Sequence, residues 1–108
     1  MKFSIQTIIL PYNTLEEIGE IAHKYGYQGV EWRVLPDNSL KDFGPEVKNN
    51  LAVCTLKKNI PVIKGINSEF SLSTPGFSSY VEMDQIEDIK IIRDAGCELG
   101  CLFFRIRG

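Results

Sequence analysis

The chain has 108 residues, with 44% hydrophobic and 24% charged side chains and a net charge of −2. These values describe an ordinary soluble globular chain, long enough for one domain over residues 1–108 with a real core. The acidic balance, with a pI near 5.4, argues against nucleic acid or an anionic membrane as the main partner. No apolar run is long enough to span a bilayer, and no secretory signal precedes Phe3-Ser4-Ile5, so the expected compartment is the cytoplasm.

Lys2–Leu10 is expected to be the first strand, with Phe3, Ile5, Thr7 and Ile9 on one face and Ser4, Gln6 and Ile8 on the other. Pro11 ends it. Thr14-Leu15-Glu16-Glu17 has the pattern of a capping box, in which the Thr14 hydroxyl bonds the Glu17 amide and the Glu17 carboxylate reaches back. Leu15, Ile18, Ile21, Ala22 and Tyr25 follow at helical spacing, and Gly26 supplies the left-handed stop. The next strand, Tyr27–Val34, alternates Val30, Trp32 and Val34 with Glu31 and Arg33. A strand, a helix and a second strand in this order form a βαβ unit and imply a parallel sheet. Helices then cover the Val30–Trp32–Val34 face, and Glu31 and Arg33 face the other way. Those charges either line a polar interior, such as the mouth of a barrel, or form a surface ion pair.

Leu35-Pro36-Asp37-Asn38-Ser39 has the composition of a loop beyond the strand's carboxyl end, where parallel sheets place ligands. Pro45 suits a first helical turn, with Val47, Leu51 and Cys54 at helical spacing through Lys58. Ile60–Ile66 is expected to be the third strand. Asn67–Ser79 is then a long βα loop, either a ligand wall or a plain surface loop. Ser79-x-x-Glu82 opens a third helix carrying Met83, Ile86, Ile89, Ile92 and Ala95, with Gly96 as its cap. Leu102–Ile106 is the fourth strand, with Phe103, Arg105 and Arg107 opposite Leu102, Phe104 and Ile106. The three cysteines, Cys54, Cys97 and Cys101, lack metal or redox spacing and are expected as reduced, partly buried thiols. The lone His23 lies on an outer helix and is not expected to bind metal.

Several of these segments together resemble the sugar phosphate isomerase/epimerase family of xylose isomerase-like (β/α)8 barrels. They are Lys2-Phe3-Ser4-Ile5-Gln6-Thr7, Tyr25-Gly26-Tyr27-Gln28-Gly29-Val30-Glu31-Trp32-Arg33, and Arg93-Asp94-Ala95-Gly96-Cys97-Glu98-Leu99-Gly100 before an Arg-bearing strand. The resemblance implies an α/β fold, the N-terminal half of a (β/α)8 TIM barrel. Its elements would run β-α-β-α-β-α-β, with parallel strands in the order 1-2-3-4 and the helices on one face. It implies a parent enzyme acting on a sugar or sugar phosphate with a divalent cation (Mn, Mg, Co or Zn). In that family the cation is held by carboxylates and a histidine on later strands, so no residue here inherits a metal-ligand role and this half is expected to be inactive alone. Substrate-side positions carried over are Glu31, Arg33, Asn67 and Arg105, and catalytic residues are not identified. Two other readings stay open. One is a stand-alone half-barrel that associates through its open sheet edges as a binding or assembly module. The other is a flavodoxin-like small ligand-binding domain, for which Leu10-Pro11-Tyr12-Asn13-Thr14 is not the required phosphate loop.

Overall fold

The computed structural model describes residues 3–37, 48–49 and 51–106. It is a mixed α/β structure with a parallel sheet and three helices. In chain order the elements are β1 (Ser4–Gln6), a 3-10 turn (Thr7–Ile9), α1 (Leu15–Lys24), β2 (Gly29–Leu35) and β3 (Leu51–Ala52). They continue with α2 (Val53–Phe70), β4 (Gly76–Ser79), α3 (Ile86–Leu99) and β5 (Phe103–Phe104). Among the described residues no helix is long and apolar enough to cross a membrane.

The first unit forms as its sequence dictates. The Thr14 hydroxyl accepts from Glu17 N at 3.2 Å, and Glu17 Oε1 accepts from Thr14 N at 2.8 Å. These bonds, the backbone one first, hold the Glu17 carboxyl below its ordinary range. Gly26 ends the helix segment with φ +80°. The first strand is shorter than expected. After Gln6 the chain tightens into the 3-10 turn, and the Thr7 hydroxyl accepts from Arg33 N at 3.0 Å, filling a rung where the backbone ladder stops.

β2 is the central strand, and all seven of its residues are buried. β1 pairs with Gly29–Glu31, while β4 pairs with Trp32–Val34. Val34 also pairs with Leu51, so β3 lies on the edge of β2 that β1 begins. The sheet order is β1-β2-β4-β5, with β3 beside β2 and every pairing parallel. β1, β2, β4 and β5 thus keep chain order, and β3 is the departure from the expected 1-2-3-4. A flavodoxin-like order would need β1 between β2 and β4, and β2 occupies that place instead.

The middle of the chain corrects the sequence expectation. Leu51 is in a strand, not a helix, and the helix starts at Val53. Pro45 and Val47 lie outside the described residues. Ile60–Ile66, expected as a strand, belongs to α2. Its buried positions are Val53, Leu56, Ile60, Ile63 and Ile66, a three-to-four spacing that a helix alone satisfies. Pro61 sits inside this helix at a cost of about 3 kcal/mol. Burying Ile60, Ile63 and Ile66 offsets it, at roughly 1.5–3 kcal/mol per side chain.

The third long strand is β4, inside the stretch expected as a loop. Ser79 does not cap a helix with Glu82. Its hydroxyl accepts from Val81 N, and Gln85 Oε1 accepts from Glu82 N. At the other end α3 runs a turn past Gly96, and Gly100 at φ +75° terminates it. Cys101 N donates to the Gly96 carbonyl and Gly100 N to that of Cys97, a Schellman ending.

One core joins the three helices to one sheet face: Ile18 and Ala22 of α1, Ile63 of α2 and Ile92 of α3, against Val30, Trp32, Val34 and Phe77. α1 and α2 approach closely at Gly19, where a Cβ would lie 2.5 Å from Ile66 Cγ2 and 3.0 Å from Phe70 Cδ2. Gly19→Ala should therefore cost about 1–3 kcal/mol in urea unfolding. Unchanged stability would mean that Ile66 turns aside freely.

Candidate functional site

The face of the sheet away from the helices is built in rows, because parallel partners in register point the same way. Ser4 pairs with Gly29 and Gln6 with Glu31. Since Trp32 pairs with Phe77 and Arg33 with Ser78, Glu31 stands beside Gly76, which in turn pairs with Phe103. One row is therefore Gln6, Glu31, Gly76 and Phe103. The next, nearer the carboxyl ends of the strands, is Arg33, Ser78 and Arg105. The ladder extends to Arg105, whose N–H donates to the Phe77 carbonyl at 3.2 Å.

Glu31 is 9% exposed and Arg33 6%, although among the described residues no helix covers this face. The Ser4 hydroxyl donates to Glu31 Oε2 at 3.2 Å. The Phe103 ring comes so close to Gly76 that an added Cβ would meet ring carbons and the Phe103 carbonyl at 2.7 Å. Gly76 is the residue that admits this ring next to Glu31. The Arg33 guanidinium lies 5.9 Å from the centroid of the Tyr80 ring, so it leans toward the carboxyl ends of the strands. Ser78 is 7% exposed, and its hydroxyl has no hydrogen-bond partner among the described residues.

The structure thus brings together three of the four expected site residues, Glu31, Arg33 and Arg105. Asn67 is not with them. It lies in α2, where its Nδ2 donates to the Thr74 hydroxyl at 3.1 Å and its carbonyl accepts from Leu72 N. The misplacement follows from the strand expected at Ile60–Ile66: once that stretch is helical, Asn67 falls in its last turn. Arg107 lies outside the described residues. His23 is on α1, as expected, and its Nδ1 donates to the Phe70 carbonyl at 3.2 Å. The cysteines are free, but Cys54 and Cys97 are exposed rather than partly buried. Burial, then the charge of Cys97, pushes the Cys101 thiol up to about 11.

Sequence reasoning missed three contributors. Ser78 and Gly76 were hidden in a stretch with loop composition. Asp37 stands at the carboxyl end of the sheet, where its Oδ1 accepts from Cys54 N at 3.0 Å and caps α2. No local cap is present at Ala52, so only tertiary contact supplies this one. The Cys54 thiol also hydrogen-bonds Asp37, which raises its pKa. Asp88 in the first turn of α3 has its carboxyl raised, first by burial and then by the charge of Asp37.

Grooves of about 340–360 Å³ lie elsewhere: between α2 and α3, at the amino-terminal edge of the sheet beside Phe3 and Leu102, and beside β5 over Cys97 and Cys101. None is lined by Glu31 or Arg33. Among the described residues no group of three or more His, Cys, Asp or Glu could hold a metal ion. No family model, curated protein or solved structure matches the chain.

The raised Asp88 carboxyl sets a pH dependence. A carboxyl whose folded pKa exceeds its unfolded value binds protons more tightly in the fold. It therefore burdens stability above the folded pKa and not below the unfolded one, near 3.9. Asp88→Asn should gain stability relative to the parent as pH rises through the carboxylate range. Parallel stability–pH curves from thermal melts would contradict this.

Proposed function

We propose that this chain supplies one wall of a carbohydrate site in a (β/α)-barrel enzyme that isomerises or epimerises a sugar or sugar phosphate. The observation that carries the reading is Glu31 and Arg33, nine-tenths buried on the sheet face opposite the helices. Neighbouring strands in chain order, all parallel, with one helix layer, suit part of such a barrel. In this reading the rows face inward. The Glu31 carboxylate accepts from sugar hydroxyls, while Arg33 and Arg105 donate to sugar oxygens. The exposed Phe103 ring offers an apolar surface beside Glu31 for a sugar's C–H face.

The family resemblance implies a divalent cation that polarises the carbonyl and hydroxyl of the substrate. The described residues do not fit that ion, because Glu31 has no second or third ligand beside it. This chain's residues are therefore assigned to binding. With manganese, cobalt or magnesium added, the chain should not interconvert aldoses and ketoses. Fructose, titrated against backbone amide signals, should shift residues beside Glu31, and Glu31→Gln should weaken that binding. One tightly bound metal ion, lost in Glu31→Ala, would overturn the assignment of Glu31 to the sugar.

A second reading, an assembly module, is favoured by the sheet edges. The outer edges of β1 and β5 carry no strand among the described residues. Exposed apolar side chains sit near both edges, including Phe3, Leu102 at 87% exposure, Phe103 and Ile106. Open ladders beside apolar surface favour association. Two copies joined edge to edge, β5 of each to β1 of the other, would bring β1, β2, β4 and β5 of each together as the eight strands of a closed barrel. Sedimentation at concentrations of about tens of micromolar should show a dimer or larger species. A stable monomer there would count against it.

A further inference from the structure

We infer that Cys97 and Cys101 form a redox pair, which a small disulfide such as oxidised glutathione closes into an intramolecular disulfide across the end of α3.

Their spacing in the sequence is not a redox motif. The fold brings them together at the turn that ends α3. Gly100, at φ +75°, reverses the chain. Cys101 N donates to the Gly96 carbonyl at 2.8 Å, and Gly100 N donates to that of Cys97 at 3.3 Å. These bonds fold Cys101 back over the last turn of the helix. A Cβ added to Gly96 would lie 3.4 Å from Cys101 Cβ and 3.9 Å from its Sγ. The Cys101 side chain therefore rests against the residue that precedes Cys97. Both cysteines line the same groove, together with Phe103 and Phe104 of β5. The charge of a Cys97 thiolate acts on the Cys101 thiol, as a nearby group's does. Cys54 stands apart at the start of α2, where its thiol hydrogen-bonds Asp37.

Exposure sets the order of events. Cys97 is exposed and Cys101 is half-buried, its thiol held protonated at neutral pH. The Cys97 thiolate therefore attacks first, at one sulfur of oxidised glutathione. The glutathione S–S bond breaks, and the departing glutathione thiolate takes up the proton that Cys97 gave up. Cys101 sulfur then attacks the Cys97 sulfur of this mixed disulfide. The second glutathione leaves as a thiolate and takes the Cys101 proton. Both protein thiols are oxidised, and the glutathione disulfide is reduced to its thiols. The new bond also acts on the sheet. Leu102 N donates to the Pro75 carbonyl at 2.8 Å, directly after Cys101, and β5 is an edge strand. Tying Cys101 to α3 fastens the start of β5.

The test treats the full chain with oxidised glutathione, quenches it with acid and alkylates the remaining thiols. Mass spectrometry then reads the tryptic peptide Asp94–Arg105, which carries Cys97 and Cys101 but not Cys54. The expected peptide carries neither alkyl group nor glutathione and has lost the hydrogens of both thiols. Cys101→Ser should stop at glutathione on Cys97. In one glutathione redox buffer, the ratio of disulfide to dithiol should be at least about tenfold higher in the folded chain than in urea, because the turn holds the thiols together. Amide exchange at Leu102 and Arg105 should slow on oxidation. A glutathione adduct that persists on Cys97 of the parent, a bond to Cys54 instead, or an equal ratio in urea would overturn the pair. Unchanged exchange in the oxidised chain would overturn the link to β5.

Discussion

β2 is the constraint on which the rest of the structure depends. Its seven residues are buried, and both its edges carry ladder partners. A buried strand cannot leave N–H or C=O groups unpaired without a cost of about 1–3 kcal/mol each. The chain meets that demand piecemeal on one edge. β1 serves the first residues, the Thr7 hydroxyl takes the Arg33 amide, and β3 serves Val34 and Leu35. On the other edge Ser73 and then β4 do the same. The 3-10 turn after β1 and the two-residue β3 are thus consequences of completing β2. Asn49 secures this edge by donating from Nδ2 to the carbonyls of Leu10 and Asn13.

The alternation along β2 divides the molecule chemically. Val30, Trp32 and Val34 face the helices, and burying them fixes where α1, α2 and α3 pack. Glu31 and Arg33 are then forced to the other face, where neighbouring strands supply Ser4, Gln6, Ser78 and Arg105 in register. The polar face is therefore a by-product of the core in its origin. The helix amino termini lie at the carboxyl end of the sheet, and Asp37 caps one of them. Charge accumulates at that end, as the shift of Asp88 records.

Some of this was legible in the chain alone. The strand at Val30–Val34 and the helix from Leu15 were readable because their signals are local and agree. Period-two alternation, a capping box and a left-handed glycine lie within a few residues of one another. The faces of β1, β2 and β5 followed from the same parity, and with them Glu31, Arg33 and Arg105. Ser78 left no such trace, because Ser-Thr-Pro-Gly composition signals turns and Phe77 is the single apolar residue of β4.

What the sequence by itself determined, then, is the class of unit, its parallel pairing and the division between an apolar and a charged sheet face. These rest on periodicities that survive without knowing any neighbour. Tertiary structure alone decided the state of Ile60–Ile66 and of Gly76–Ser79. The β-branched run with Pro61 favours a strand locally, but the buried spacing of Leu56, Ile60 and Ile63 is met only when a helix packs on the sheet. Once that helix forms, β2 needs another strand on its free edge. Gly76–Ser79 supplies it despite its weak propensity, because the unpaired ladder and the buried Phe77 outweigh local preference.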